Sequence, residues 1–579
     1  MNVQELANFI WSVADLLRGD YKQSDYGEII LPFTILRRLD CVLDKTKDAV
    51  VEKHASSKDL NEEALEKVLN KVAGQKFHNH SKYDFQKLLA DPNNIARNMR
   101  NYAAGFSSNA REILEMFKFE TKVKDLDNKN LLFLVTEKFA AVDLHPKHVS
   151  NMEMGYVFEE LIRKFAETSN ETAGEHFTPR EVIRLMVNIL FINDRDILTQ
   201  KGIVKTLYDC ACGTGGMLSV AEEYLHELNP EARLEVFGQE LNETSYAICK
   251  SDMMIKGQNP SNIKFGNSFT KDQLQEDKFD YMLANPPFGV EWKKVQKEIQ
   301  NEADELGFGG RFRAGLPRIS DGSFLFLQHL ISKMKNGSNG SRIAIVFNGS
   351  PLFTGSAGSG ESEIRRWIIE NDLLETIVAL PDQLFYNTGI STYVWVVTNR
   401  KEQKRKGKIQ LINGTAFFKK MSRSLGNKRN ELSDEDISTI TKIYGDFKAG
   451  KYSKIFNNSD FGYSRITVER PLIDEKGKIA KDRNGDPKPD AKLRDAENVP
   501  LKKGQVVSTE KDIDEYMQKE VLPHVPDAWV DHSKTKVGYE INFTKYFYEY
   551  KPLRSLAEIR AEILALEEET EGMLREIVE

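Results

Sequence analysis

Between about residues 170 and 415, short apolar runs bounded by Gly, Asn and Asp alternate with stretches of helical spacing. The runs lie at 204–208, 234–237, 281–284, 342–347, 375–380 and 393–398. Strand-like runs separated by helical ones predict an α/β domain with a largely parallel sheet. An open sheet of that kind presents ligands at the carboxyl ends of its strands. The residues just after each run are therefore where chemistry is to be sought.

After the first run comes Asp209, then Cys210-Ala-Cys212-Gly213-Thr214-Gly215-Gly216, with a helix expected from near Met217. Glycines let a backbone turn tightly and approach a ligand without a Cβ between them, and the following helix places free N–H groups at the mouth. A dinucleotide site would want G-x-G-x-x-G with a pyrophosphate on the helix N-terminus. Here the acid precedes the glycines, which suits a ligand with a cationic end and no phosphate, such as S-adenosylmethionine. The second run ends in Gly238-Gln239-Glu240, and an acid one βα unit on is where a ribose diol is held by a carboxylate. Cys210 and Cys212 lack a matching Cys/His pair, so they read as small buried packing residues and no metal site is expected.

The third run ends in Asn285-Pro286-Pro287-Phe288. The prolines fix φ and carry no N–H, so this backbone joins neither helix nor ladder. The Asn285 side-chain carbonyl and the Pro286 carbonyl can then accept both hydrogens of an amine, while Phe288 offers a ring for a base to stack on. A target nitrogen inside a duplex must first be flipped out. A cytosine-C5 enzyme would need a nucleophilic Cys after a proline, and no Cys follows a Pro in this chain.

At 579 residues the chain exceeds one core. Helical spacing (Leu6, Phe9, Ile10, Val13, Leu16, then Ile29, Phe33, Leu36, Leu39) makes 1–150 an all-helical domain. The α/β domain is taken as 151–470 and a C-terminal extension as 471–579. Residues 474–503 read as a polar, exposed excursion. Leu556, Ile559, Ile563, Leu566, Thr570, Met573 and Ile577 step by threes and fours, which predicts a coiled-coil-type helix. This helix either packs on its own domain or docks on another subunit. No window spans a bilayer, the N-terminus lacks a secretion signal and four cysteines suggest a reducing cytoplasm. The net charge of −7 leaves any nucleic-acid grip to a local basic surface or a partner. Lys293, Lys294, Lys297, Arg311, Arg313 and Arg318 form one such candidate loop beside the tetrapeptide, though an ordinary charged surface loop reads equally well.

With these motifs the sequence resembles the amino-methyltransferase superfamily, and more closely the modification subunit of type I restriction-modification systems. The resemblance extends through SDGSFLFLQHLI (320–331), PLF (351–353) and 363–397, and weakens after about 470. It implies a Rossmann-like S-adenosylmethionine-dependent methyltransferase domain between a helical N-terminal domain and a helical, coiled-coil-like tail. It also implies site-specific methylation of adenine N6 in double-stranded DNA, protecting host DNA. By resemblance Glu175, His176, Phe177, Thr178, Pro179, Arg180, Asp209, Gly213, Thr214, Gly215, Gly216 and Glu240 line the cofactor site. Asn267, where relatives often carry Asp, joins them through its amide oxygen. Asn285, Pro286, Pro287 and Phe288 carry catalysis. Read without the family, His176–Arg180 is a helix entry with Thr178 capping and Pro179 at the first helical position. The implied partners are DNA, a specificity subunit clasped with two copies of this chain, and optionally an ATP-dependent restriction subunit. Residues after about 540 would dock on the specificity subunit's helices. Three readings stay open beside this one: a protein-glutamine methyltransferase, because N-P-P also grips a side-chain amide; an adenine methyltransferase with its own recognition region; and a non-catalytic assembly subunit.

Overall fold

The structure is a computed structural model that describes residues 3–169, 178–337, 340–386, 388–475, 477–549 and 555–566. The chain to Ile541 forms one compact unit and the chain from Asn542 another.

The N-terminal part of the first unit is built of helices from Val3–Trp11 to Leu132–Ala140, with only isolated bridges such as Asn79↔Phe106 among the described residues. The apolar spacing has the expected consequence: Leu6, Ile10, Val13, Ile29, Phe33, Leu36 and Leu39 are all buried in one cluster. A periodic apolar stripe is stable only when covered. Part of the cover is the helix Glu243–Ile255, whose Ala247, Ile248 and Met254 join the same cluster. Tyr246 and Lys250 on that helix both hold Glu112, at 2.7 and 2.6 Å. The helical region is thereby fastened to the α/β region next to the second strand.

The strands are β1 Val204–Asp209, β2 Arg233–Glu240, β3 Ile263–Phe265, β4 Tyr281–Ala284, β5 Arg342–Asn348, β6 Leu374–Ala379, β7 Thr392–Thr398 and β8 Lys408–Asn413. A hairpin, β9 Lys419–Leu425 with β10 Lys428–Glu431, precedes β11 Ser453–Asn457. One nine-stranded sheet has the order β11-β8-β6-β7-β5-β4-β1-β2-β3. All six strands read from the sequence are present. The five from β3 to β5 are parallel, whereas β7 runs antiparallel between β5 and β6, so the sheet is mixed. Because β6 and β8 both oppose β7 in direction, they point the same way as β1 and β4. One row crosses the sheet as Ala284, Ile345, Trp395, Ile377 and Leu411. At the other end of these strands, buried Glu375 accepts from Arg342 and Tyr444, each at 2.7 Å, with Arg405 at 3.8 Å.

The expectation of a polar excursion over 474–503 needs correction. Residues 477–494 are largely exposed, but the segment then forms β13 Asp495–Pro500. Beside it lie β12 Gly462–Glu469 in the centre and β14 Trp529–Tyr539, all antiparallel. Ile466, Val468 and Val499 pack with Ile513, Met517 and Val521 beneath this small sheet. The pairing joins strands far apart in the chain, and no local pattern announces it. Arg365 ties the small sheet to the large domain by donating to the Tyr539 carbonyl at 2.7 Å.

In the second unit residues 556–566 are helical, with Leu556, Ile563, Leu564 and Leu566 exposed. Thr570, Met573 and Ile577 of the expected seam lie outside the described residues. No described helix is long and apolar enough to cross a membrane.

Candidate active site

The glycine turn follows β1 as the pattern demands. Gly213 and Gly215 have φ of 53° and 86°, and the helix Gly216–Leu228 begins directly after them. A Cβ on Gly213 would meet nothing within 4 Å, whereas one on Gly215 would stand 2.8 Å from Cys249 Sγ. Gly213 therefore opens the turn towards the cavity, and Gly215 lets the turn pack against the next helix. Cys210 and Cys212 are buried, as expected, and Cys212 lies 3.9 Å from Cys249.

Glu240, at the end of β2, reaches across to this turn. Its Oε2 accepts the Gly213 N–H at 2.8 Å, while Oε1 accepts those of Leu241 and Asn242 at 2.8 and 2.7 Å. A carboxylate has about four acceptor places, so one remains for a ligand hydroxyl. Burial pushes the Glu240 carboxyl up, opposed by those three N–H groups. Asp209 is only 2% exposed, and Ala211 N–H donates to it at 3.0 Å. Burial, with a smaller push from the charge of Glu240, raises its pKa to about 8.

A cavity of about 490 Å³ lies against these groups. That is within the usual range for small-molecule clefts. Thr178, Asp209, Gly213, Thr214, Gly216, Glu240, Asn267, Asn285 and Pro287 line it, so the three motifs meet in one space. Asn285 and Pro287 lie just past β4, outside any ladder, as two prolines require. The Asn267 amide oxygen already accepts the Phe269 N–H at 2.8 Å, which leaves it one lone pair and its two donors. Glu159, Asp209 and Glu240 are acidic, and among the described lining residues there is no Lys, Arg or His.

Other expected residues lie elsewhere. Gly215 supports the turn from behind, and Pro286 is buried next to Asn285 without lining the cavity. Phe288 is half-buried and meets Phe385 edge-on, their centroids 6.2 Å apart. Thr178 does not cap the helix Arg180–Phe191, and Pro179 is its N-cap rather than its first helical residue. With an extended ψ of 139°, Pro179 uses its carbonyl to accept from Val182 and Ile183. Arg180 is buried away from the main cavity, 3.2 Å from Glu159 and over the Tyr156 ring at 4.2 Å. Glu175, His176 and Phe177 lie outside the described residues.

Glu159 is a lining residue that the reading of the sequence missed, and burial raises its pKa despite Arg180. Nothing local marks one Glu on a helix of ordinary composition. Ser268 and Phe269 also form wall, and they are held from behind by Arg311. That residue donates to both their carbonyls, at 2.8 and 2.6 Å, and pairs with Glu302 at 2.9 Å. Arg311, one of the basic residues of the loop read either as a phosphate-holding candidate or as an ordinary charged surface, is a wall support. Arg318 likewise lies by Asp321 and Glu361, at 3.6 and 3.8 Å.

The model of the family described as N-6 DNA methylase matches residues 149–465, the span that holds every lining residue above. The chain belongs to that family. The model of the HsdM N-terminal domain matches residues 6–139 of this methylase. The type I restriction enzyme MjaIX methylase subunit of Methanocaldococcus jannaschii is 28% identical over 80% of this chain and 81% of its own length. The HindI methylase subunit of Haemophilus influenzae is 32% identical over 52% of this chain and 61% of its own. Among solved structures, the type I methyltransferase subunit from Streptococcus thermophilus has a TM-score of 0.62 at 23% identity, covering 80% of this chain and 97% of that one. The likeness confirms a methyltransferase fold behind a helical N-terminal domain. The methylase is thus a type I restriction-modification methylase subunit with an adenine-specific DNA methyltransferase domain.

Proposed function

We propose that this methylase uses S-adenosylmethionine to methylate the N6 amine of an adenine flipped out of double-stranded DNA. The observation that carries the reading is the meeting of Asp209, Glu240 and Asn285 around one cavity whose described lining has three acids and no cation. A phosphate-bearing dinucleotide would find no cationic side chain among those lining residues, while a cationic ligand with a ribose finds complementary groups. When bound, the cofactor supplies an electrophilic methyl on a sulfonium. Asp209 faces positive charge, and the remaining acceptor place of Glu240 takes a ribose hydroxyl. Thr178 and Asn267 line the same space. Asn285 and the Pro286 carbonyl accept the two amine hydrogens, which turns the nitrogen lone pair towards the methyl group. Phe288, braced by Phe385, stacks on the extruded base.

In this reading 1–150, 151–470 and 471–579 are the functional divisions of the chain. The exposed apolar seam beginning at Leu556 docks on a specificity subunit flanked by two copies of this chain, and an ATP-dependent restriction subunit joins as an optional third component in the cytoplasm. The test is transfer of labelled methyl from S-adenosylmethionine to DNA by the chain co-purified with its partner, followed by nucleoside analysis. Label in N6-methyladenine, lost in Asn285→Ala, is expected. Label on protein, or none with the partner present, would overturn the proposal. Undiminished complex after deletion of residues 553–579 would remove the docking role of the tail.

A further inference from the structure

Although the chain carries a net charge of −7, no acidic residue occurs between Glu402 and Glu431, a stretch holding nine Lys and Arg. Three members of the stretch have structural duties. Arg405 belongs to the buried Glu375 cluster, Lys428 is buried against Glu181 and the Leu384 carbonyl, and Lys404 pairs with Glu402 at 3.1 Å. Lys406 and Lys408 are exposed at the start of β8. The remaining four, Lys419, Lys420, Arg423 and Arg429, are exposed on the β9–β10 hairpin. None of these four forms an ion pair among the described residues.

The sheet sets where this hairpin stands. It leaves the end of β8 beyond Leu411, which shares a row with Ala284, the residue before Asn285. The hairpin therefore rises from the same sheet edge as the catalytic tetrapeptide. Four strand spacings separate β8 from β4, about 19 Å at about 4.8 Å each. The base of the hairpin is also fixed to the site: Asn427 and Arg429 N–H donate to the Tyr386 and Gln383 carbonyls at 2.8 and 2.9 Å. Between those residues Phe385 packs on Phe288. Lysines 293, 294 and 297 are a weaker candidate surface, because Glu291, Glu298, Asp304 and Glu305 interleave with them or follow on the same insertion.

We propose that the β9–β10 hairpin is the methylase's own phosphate clamp, with Lys419, Lys420, Arg423 and Arg429 gripping the duplex backbone beside the flipped adenine. The inference rests on the DNA-methylase reading. Contacts to phosphate fix register and orientation without reading bases. A local ribbon of unpaired cations also explains how a chain of net negative charge approaches a polyanion.

The test is binding of a fluorescent duplex of arbitrary sequence to the full chain, followed by anisotropy between 50 and 200 mM salt. Each cation that neutralises a phosphate adds about 0.9 to the slope of log affinity against log salt. K419A/K420A/R423A/R429A should lower the slope by about 0.9 per engaged residue and weaken binding at least tenfold, with S-adenosylmethionine affinity unchanged. K420A and R423A singly should each lower it by about 0.9, which keeps the test open if the fourfold variant misfolds. K406A/K408A, at the opposite sheet edge, should leave the slope as it is. An unchanged slope in the hairpin variants, or an equal loss in K293A/K294A/K297A instead, overturns the clamp. So does an unchanged slope with loss of a co-purifying protein, which would make the hairpin a subunit contact. If the wild-type chain shows no salt-dependent DNA binding, the clamp falls alone, since the methylase reading is judged by label transfer in the complex.

Discussion

With S-adenosylmethionine bound as proposed, the pKa of Asp209 makes its binding depend on pH. Burial lifts this carboxyl from 3.8 to about 8, and the charge of Glu240 adds to the effect. Without cofactor, about one molecule in ten carries an ionised Asp209 at pH 7, and about one in a hundred at pH 6. A cationic ligand binds the ionised form, so a proton must leave as it enters. Affinity for S-adenosylmethionine should rise about tenfold from pH 6 to pH 7, equivalent to about 1.4 kcal/mol, and level off above pH 8. Stability of the cofactor-free protein should run the other way. The folded pKa exceeds the unfolded one, so the contribution of this group is fully present below pH 3.8 and is lost as pH rises through about 8. Calorimetry at pH 6, 7, 8 and 9, in buffers of different ionisation enthalpy, measures both affinity and proton release. Close to one proton should leave per cofactor at pH 6, and Asp209→Asn should bind more weakly above pH 8 with no release. Flat affinity between pH 6 and 8, without proton release, would refute the placing of cationic charge against Asp209.

Phe288→Ala should lower turnover on DNA sharply while leaving cofactor affinity nearly intact, since the ring lies outside the cavity lining; an equal loss of both would show the stacking role to be wrong. Gly215→Ala should lower the melting temperature, because a left-handed φ of 86° costs about 1–2 kcal/mol with a Cβ and that Cβ would press on Cys249. Cys249→Ala should restore part of the loss, and no change in melting temperature would contradict the packing argument. Glu375→Ala leaves Arg342 and Arg405 buried without their counter-charge and should cost about 3–5 kcal/mol in urea unfolding. Burial alone would raise the Glu375 carboxyl, but the two guanidiniums outweigh it and hold it low. This contribution should therefore persist above the ordinary carboxylate pKa and fade as pH falls through the lower folded value.

Local grammar carried much of the fold. A strand, an acid, positive-φ glycines and a helix are consecutive residues at β1, so their arrangement follows from short-range sterics. The same holds for Asn285–Phe288, where two prolines dictate the break in regular structure. The cover of the 462–539 sheet was not legible, because β12, β13 and β14 are brought together across intervening loops and each alone is short or mixed in polarity. Helix capping at Thr178 was misread because a Pro at the boundary can itself start the hydrogen-bond ladder.

From the sequence by itself came the residues that meet around the cavity at Asp209, Glu240 and Asn285 and the edge of the sheet they occupy, since both are set within a few residues of each strand end. Tertiary structure alone decided their company. Glu159 became a third acid in the cavity, Arg311 of the basic loop became a support for the wall, and Asp209 lost its solvent and with it an ordinary pKa. The hairpin cations reached the sheet edge that holds Asn285 only because β7 reverses direction, leaving β8 to end beside the row of β4. Desolvation, charge pairing and strand direction sum over residues distant in the chain, and no window of neighbours contains them.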